Sequence, residues 1–324
     1  MAIVLGGVSR IGDAVMTLPA LRTVSRTWPG EVLYVLAPGS SAAVYDRSGI
    51  TARVIPISTR RGILRFFFGI RSLRASRCFL FSGGFIWALG AFLARIPLRA
   101  GLDTDARRYL LTHPLRLDTE LIHQTESYQR VVALERGVVI DRGAAPHLVL
   151  RDGDREAAAL FLRNWRERPY FAVNPSASHP SKRWPLERFV VLCRQIKERY
   201  GLDCLVLGGG EDQQLVGFLT AAVGGYAAID LPLGTVFALL SSAVLYVGNN
   251  SGLSHAAAAL GVPGVCLSGP SNRVKTAPRG EAQCFLGGTT SSVRERGRGP
   301  HPALLAVTVE EAAAAVASLG SPFI

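Results

Sequence analysis

Lysine is scarce in this chain. There are three, Lys182, Lys197 and Lys275, so the positive charge is carried almost wholly by arginine. The five cysteines, Cys78, Cys193, Cys204, Cys266 and Cys284, form no CxxC pair. That argues against a zinc site or a disulfide framework and fits a reducing cytoplasm. No basic-headed apolar stretch opens the sequence, and Met1–Gly7 reads as a first β-strand, not a signal peptide. Low-complexity tracts and short-period repeats are missing. So is the interleaving of aromatic and basic residues on strands that a nucleic-acid-binding sheet uses. Long charge-free runs are nearly missing too. Cys78–Ala94 has no charge, but it sits at the short end of the ~17–25 residues a membrane span needs, and Ser82-Gly83-Gly84 interrupts it. It reads as a buried strand (CFLF), a turn and a core helix (FIWALGAFLARI).

What the chain does have is apolar material and a lopsided charge. Its 324 residues are 48% hydrophobic, which suits two domains of about 150 residues each. The formal net charge is +12. Residues 1–150 hold 19 arginines against 10 acidic residues, a net of +9, and the remainder holds +3. Such a field favours an anionic partner: a phosphorylated lipid, a membrane surface or a nucleic acid. An Arg-rich codon bias explains the preference for arginine well and the asymmetry between halves less well.

Both halves alternate strands and helices, which predicts α/β domains with parallel, doubly wound sheets. In the first half AIVLGG, EVLYVLAP, RVIPI, CFLF and RAGLD read as strands, and a helix after VSRIGD places Val15, Leu18, Leu21 and Val24 on one face. In the second half YFAVNP, DCLVLGGG, VLYVGNN and GVCLSGP read as strands. The helix PLERFVVLCRQIKERYG has Pro185 in its first turn and Gly201 as its stop. Thr308 and Glu311 predict a capping box for the last helix. The boundary is expected within Arg151–Arg168, giving domains 1–155 and 156–324, with the last helix free to pack back on the first domain.

Three polar turns follow strands of the second half. Asn174–Pro185, NPSASHPSKRWP, offers the hydroxyls of Ser176 and Ser178 and the charge of Lys182; its serines read equally well as surface and capping residues. Gly248–Gly252, GNNSG, opens an Ala-rich helix whose N-terminus suits a pyrophosphate. Gly252 allows close approach of a ligand, and His255 lies one turn further in. Asn250 and Ser251 read equally as helix caps, and His255 as a packed residue. Leu267–Ser271, LSGPS, is the third turn. Ligands of open parallel sheets sit at the carboxyl ends of strands, so three turns converging there say more than any one. Ser58–Arg77 adds six arginines and no acid, with Ile63, Phe67 and Ile70 at helical spacing. It reads as an amphipathic basic stretch for an anionic membrane surface or for acceptor phosphates or acidic sugars, or as a core-packed helix with a solvated face; Gly62 and Gly69 weaken a long continuous helix.

The order IGDAVMTLPAL, NPSASHPSKRWP, VLGGGED, VGNNSGLSHAAAALGVP, LSGPS resembles the family-nine glycosyltransferases, which include the heptosyltransferases of lipopolysaccharide core assembly. Arg99–Asp103 and His123–Leu134 also look like landmarks of that family's first domain. The resemblance implies a GT-B fold, two Rossmann-like parallel-sheet domains facing a central cleft, with acceptor bound by the first and donor by the second. It implies inverting transfer of a sugar, heptose from ADP-heptose, onto a lipopolysaccharide-type glycolipid. It implies a nucleotide-diphosphate sugar as co-substrate, no metal, no nucleic acid, and a cytoplasmic enzyme peripheral to the inner membrane.

By that resemblance Asp13 is the general base; the residues alone also allow it to cap a helix beginning at Ala14. Ser178 and Lys182 match phosphate contacts, with Ser176 beside them in the donor set, and Glu211 or Asp212 meets the donor's ribose or base. Asn250, Ser251, Gly252 and His255 complete the donor set, and Arg10, Arg60 and Arg61 are the acceptor set. Asp103-Thr104-Asp105 has the letters of a metal motif but lies in the acceptor half. Asn250 stands where the family commonly has an acid that holds the sugar's hydroxyls. It offers an amide donor and no charge, which points either to another sugar or to hydroxyls read with one partner reversed. Two rivals stay open: another GT-B sugar-nucleotide enzyme, such as an epimerase or hydrolase, and a non-catalytic binder of nucleotide sugars or nucleic acid.

Overall fold

The strand–helix alternation closes into two parallel sheets of six strands each. A computed structural model describes residues 1–117, 121–163, 165, 168–289 and 299–320. The chain divides into two units, Met1–Val149 and Leu150–Ile324.

The first unit runs β1 (Ala2–Gly6), α1 (Ile11–Thr27), β2 (Val32–Pro38), α2 (Ala42–Tyr45), β3 (Arg53–Ile57), α3 (Arg60–Ile70), β4 (Ala75–Leu80), α4 (Phe85–Leu93), β5 (Leu98–Leu102), β6 (His113–Leu115) and α5 (Gln124–Val132). Its strand order is β3-β2-β1-β4-β5-β6, all parallel. The direction of winding reverses between β1 and β4, so the crevice for a ligand lies at their carboxyl ends. On one face, Ile63, Phe67 and Ile70 of α3 pack with Trp87, Ala88 and Ala91 of α4 against Val4, Leu36 and Leu80 of the sheet. Val15, Leu18, Leu21 and Val24 of α1 are all buried, as their spacing predicts.

The second unit runs α6 (Asp152–Leu162), β7 (Tyr170–Asn174), α7 (Leu186–Tyr200), β8 (Asp203–Gly208), α8 (Gln213–Val223), β9 (Tyr226–Ile229), α9 (Leu233–Ser241), β10 (Leu245–Asn249), α10 (Gly252–Ala259), β11 (Gly264–Asn272), α11 (Arg273–Thr276), β12 (Gln283–Thr289), α12 (Pro302–Leu305) and α13 (Val309–Ser318). The order β12-β11-β10-β7-β8-β9 repeats the first unit's topology, with the reversal between β7 and β10. Phe171, Val173, Val206, Val247 and Val265 of the sheet meet Phe189, Leu192 and Ile196 of α7 in its core. The last helix buries Ala312, Ala315 and Val316 in this same core. Its capping box is formed, with Thr308 N–H donating to Glu311 and Glu311 N–H donating to Thr308 Oγ1.

Four local readings change. Pro185 is the N-cap of α7, one position before the first turn. The Leu267–Ser271 stretch is no turn: it belongs to β11, which continues to Asn272 through a register shift after Ser268. The basic Ser58–Arg77 stretch is helical only in part. It folds as α3 and a short 3-10 turn, and its tail enters β4. Arg77 is thereby drawn into the fold, 2.8 Å from both Glu31 and Glu135 and stacked over Trp28. The helix after SGG ends at Leu93, three residues early, at a turn where Arg95 takes a positive φ. No helix among the described residues is long and apolar enough to cross a membrane.

Candidate active site

In the first unit the chain leaves β1 through Gly6-Gly7. A Cβ on Gly7 would stand 2.7 Å from the Leu36 carbonyl oxygen and 2.9 Å from the Tyr45 hydroxyl, so glycine is required for this close passage. Gly7 N–H donates to that carbonyl (2.9 Å), and Val8 N–H donates to the Tyr45 hydroxyl (3.2 Å). The same hydroxyl lies in hydrogen-bond contact with Thr17 Oγ1 (3.2 Å). These bonds fix the loop that delivers Ser9 and Arg10, both exposed, to the start of α1.

Helix α1 begins at Ile11 with Arg10 as N-cap, three residues earlier than a cap at Asp13 would require. Asp13 therefore does not cap a helix at Ala14. It lies within the first turn, half-buried, where the helix dipole favours a negative charge. Two buried phenols stand near it. Burial pushes Tyr45 up to about 12; the contacts with Thr17 and Val8 oppose this and the Asp13 charge adds to it. Burial, then the Asp13 charge, also raises Tyr128, whose ring packs edge-on to Phe81 at 5.3 Å.

A cavity of about 240 Å³ lies at this end of the sheet, lined by Ser9, Pro38, Ile57, Thr59, Arg60 and Trp87 among others. Thr59 caps α3 by accepting Gly62 N–H (3.0 Å), which sets exposed Arg60 and Arg61 at the helix start. Arg10, Asp13, Arg60 and Arg61 thus share the carboxyl end of the first sheet. Asp103 and Asp105 do not form a pair there: Asp103 is bonded to Arg116 (3.0 Å), and Asp105 sits at a positive φ of 50°. A larger hollow of about 500 Å³ lies between β12 and α13, among Cys284, Phe285, Leu286 and Ala314, and holds none of the expected residues.

In the second unit the residues converge where β7 and β10 part. Two asparagines end these strands and tie the site together. Asn174 Oδ1 accepts Ser176 N–H (2.9 Å), and its Nδ2 donates to Ser251 Oγ (3.4 Å). Asn249 Oδ1 accepts Trp184 N–H (2.9 Å), and its Nδ2 donates to the Pro175 carbonyl (2.7 Å). Both ends of the 175–184 loop are therefore held by side chains at strand ends. Within it Ser176 is half-buried, Ser178 is exposed, and Lys182 closes a short 3-10 turn.

Ser251 is the N-cap of α10 and Gly252 its first residue. Ser251 N–H donates to Ser254 Oγ (3.1 Å). Asn250 is buried and does not cap the helix. Its N–H donates to Leu267 O (2.8 Å), and its Nδ2 donates to Ser268 Oγ and Thr276 Oγ1, both at 3.3 Å. His255 is 5% exposed, so it is packed within the unit and not laid open at the crevice. Asp212 is buried and already engaged: it accepts Gly209 N–H (3.2 Å) and lies 3.8 Å from Arg183 Nη2. Its neighbour Glu211 is exposed.

The sequence places the two strand-end asparagines, Arg183 and Ser268 inside the candidate turns without giving them a role, and it does not point to Thr276. The letters NP and NN flag the asparagines as turn formers. Nothing local pairs Arg183 with Asp212, or Asn250 with Thr276, because these contacts are made across the sheet. Among the described residues no three His, Cys, Asp or Glu side chains group as a metal centre.

A sequence model of the family described as glycosyltransferase family 9 (heptosyltransferase) matches residues 65–300. The whole second-unit constellation falls inside that range; Arg10, Asp13, Arg60 and Arg61 precede it. The chain is 27% identical over 300 residues to lipopolysaccharide heptosyltransferase 2 of Salmonella typhimurium, covering 86% of this chain and 85% of that protein. It is 25% identical over 311 residues to lipopolysaccharide heptosyltransferase 1 of Pseudomonas aeruginosa, covering 89% and 84%. Among solved structures, the ADP-heptose lipopolysaccharide heptosyltransferase II of E. coli superposes with a TM-score of 0.83 at 24% identity, over 98% of each chain. A glycosyl transferase of family 9 from Veillonella parvula gives 0.86 at 21% identity, over 98% and 96%. At these identities the structures establish the fold, which is GT-B.

Proposed function

The chain belongs to glycosyltransferase family 9, and from that premise we propose that it transfers heptose from ADP-heptose to a lipopolysaccharide-type glycolipid. The transfer inverts the anomeric centre, needs no metal ion, and takes place at the cytoplasmic face of the inner membrane. The observation that carries this reading is the convergence, at the β7/β10 switch point, of the 175–184 loop and the start of α10. Both are held by Asn174 and Asn249.

The acceptor hydroxyl oxygen attacks the anomeric carbon while Asp13 takes its proton; base catalysis of this kind is worth about 10²–10⁴-fold. The bond from that carbon to the diphosphate breaks, and ADP leaves with the electron pair. Lys182, the hydroxyls of Ser176 and Ser178, and the N–H groups that open α10 meet the growing negative charge. Those groups take the place of a metal ion. Glu211 meets the ribose, since Asp212 is spent on Gly209 and Arg183. His255 acts through packing.

Asn250 fits heptose better than its missing charge suggests. With its amide hydrogens given to Ser268 and Thr276, it presents Oδ1, an acceptor, as a carboxylate would. Arg10, Arg60 and Arg61 hold the acceptor's phosphates, with Arg forks suited to paired oxygens. Helix α3 supplies the contact with the anionic membrane.

Purified protein incubated with ADP-heptose, with and without a heptose-deficient lipopolysaccharide acceptor, tests the reading by mass spectrometry. A product heavier by one heptosyl unit, formed only with acceptor, is expected. Turnover of ADP-heptose without acceptor would instead mark an epimerase or hydrolase.

A further inference from the structure

Tyr246 is a buried polar group that the transfer chemistry above leaves unused. It lies within β10 and is 1% exposed. Its side chain runs along the strand toward the carboxyl end, so that its hydroxyl covers Gly248, where any Cβ would collide with it. The Asn174 carbonyl closes in from β7, 2.9 Å from that same Cβ position. The side chains of Ser251 and Asn174 stand beside the hydroxyl. Yet among the described residues no atom completes a hydrogen bond to it.

A buried hydroxyl without a partner is destabilising. Phenylalanine would fill the same space without that cost. Burial raises the phenol's pKa, so it keeps its proton at neutral pH and has it to donate. Ser251, the N-cap of α10, accepts one long bond at its Oγ, 3.4 Å, from Asn174 Nδ2.

We propose that Tyr246 is a positioning residue of the donor site. When a nucleoside diphosphate occupies the start of α10, Ser251 Oγ accepts the Tyr246 proton in a hydrogen bond and donates its own hydrogen to a phosphate oxygen. Bonds in series within a low-dielectric site reinforce one another, so the relay sharpens Ser251 as a phosphate contact and satisfies the buried phenol only in the bound state. This inference rests on the reading of α10 as the diphosphate site.

The test compares the parent protein with Tyr246→Phe by thermal melting and calorimetric titration, using ADP as the probe. The expected result is an unliganded melting temperature equal to or above the parent's, with ADP bound about fivefold more weakly, the effect of losing roughly 1 kcal/mol. Ser251→Ala should weaken ADP similarly, and the double variant should lose little beyond either single one. Unchanged ADP affinity in Tyr246→Phe overturns the inference. So does a large fall in its unliganded melting temperature, because the hydroxyl would then be holding the fold, and so do additive losses in the double variant. If ADP fails to stabilise the parent, the diphosphate-site reading itself falls, which separates the two failures.

Discussion

Asn249 and Trp184 are joined across 65 residues of chain by one bond: the Asn249 side-chain oxygen accepts the Trp184 N–H at 2.9 Å. The Asn249 amide then reaches the Pro175 carbonyl at 2.7 Å. One buried side chain at the end of β10 thus holds both the entry and the exit of the loop that follows β7. The Trp184 indole secures the exit further by donating Nε1–H to the Val307 carbonyl (3.0 Å). Asn249→Ala leaves a buried N–H and a buried carbonyl without partners, at about 1–3 kcal/mol each. Its melting temperature should fall by several degrees, and ADP-heptose should bind more weakly because Ser176, Ser178 and Lys182 lose their fixed frame. Unchanged donor affinity would show that the loop is held by other means.

Tyr45 and Tyr170 give the fold an alkaline limit. Burial, the largest cause for each, pushes both phenols up to about 12 from an ordinary value near 10. The folded state therefore keeps these protons more tightly than the unfolded chain. The associated stability is complete below pH 10 and is lost as pH rises toward 12, at about 3 kcal/mol per phenol. Urea unfolding at intervals from pH 9 to 12 should show a falling free energy above pH 10. Tyr45→Phe should be less stable than the parent at pH 8, for want of the Val8 and Thr17 contacts, yet decline less steeply above pH 10.

On α3 the exposed residues Arg61, Arg65 and Phe68 lie opposite the buried Ile63, Phe67 and Ile70. Phe68 is 53% exposed, and α4, packed against α3, leaves Phe85 and Phe92 exposed as well. A basic face set with aromatics suits an anionic lipid surface. Vesicles containing phosphatidylglycerol should pellet with the protein, and neutral phosphatidylcholine vesicles should not. Each arginine near such a surface is worth about 1 kcal/mol. The triple change of Arg61, Arg65 and Phe68 to serine should therefore weaken binding roughly thirtyfold or more, without lowering the melting temperature. Equal binding by parent and variant would remove α3 from the membrane contact.

The parallel α/β architecture was legible in the sequence because it rests on local signals: continuous apolar runs for buried strands, helical stripes such as Val15–Val24, and glycine or proline punctuation at Gly201 and Pro185. The turns that end β7 and β10 were legible for the same reason. The GT-B arrangement was implied only by the resemblance to family nine. What could not be read is set by pairing across the sheet. Leu267–Ser271 has the composition of a turn, yet β12 extends β11 through it. Arg77 looked like one more charge on a basic helix, until β4 carried it to Glu31 and Glu135. Asp212 carries the same charge as Glu211 in the sequence and differs only in being turned inward to Gly209 and Arg183. Asn250 looked anomalous beside the family pattern because its partners, Ser268 and Thr276, lie on other elements.

Asp13 stands in the first turn of α1 beside the buried Tyr45 and Tyr128, and the proposed transfer depends on it. The most direct measurement is single-turnover transfer from ADP-heptose to a heptose-deficient lipopolysaccharide acceptor by the parent and by Asp13→Asn, with the donor affinity of each taken by titration. Transfer by the parent, a loss of about 10²–10⁴-fold in the variant, and the same donor affinity in both are expected. Transfer by Asp13→Asn at the parent's rate would contradict Asp13 as the base.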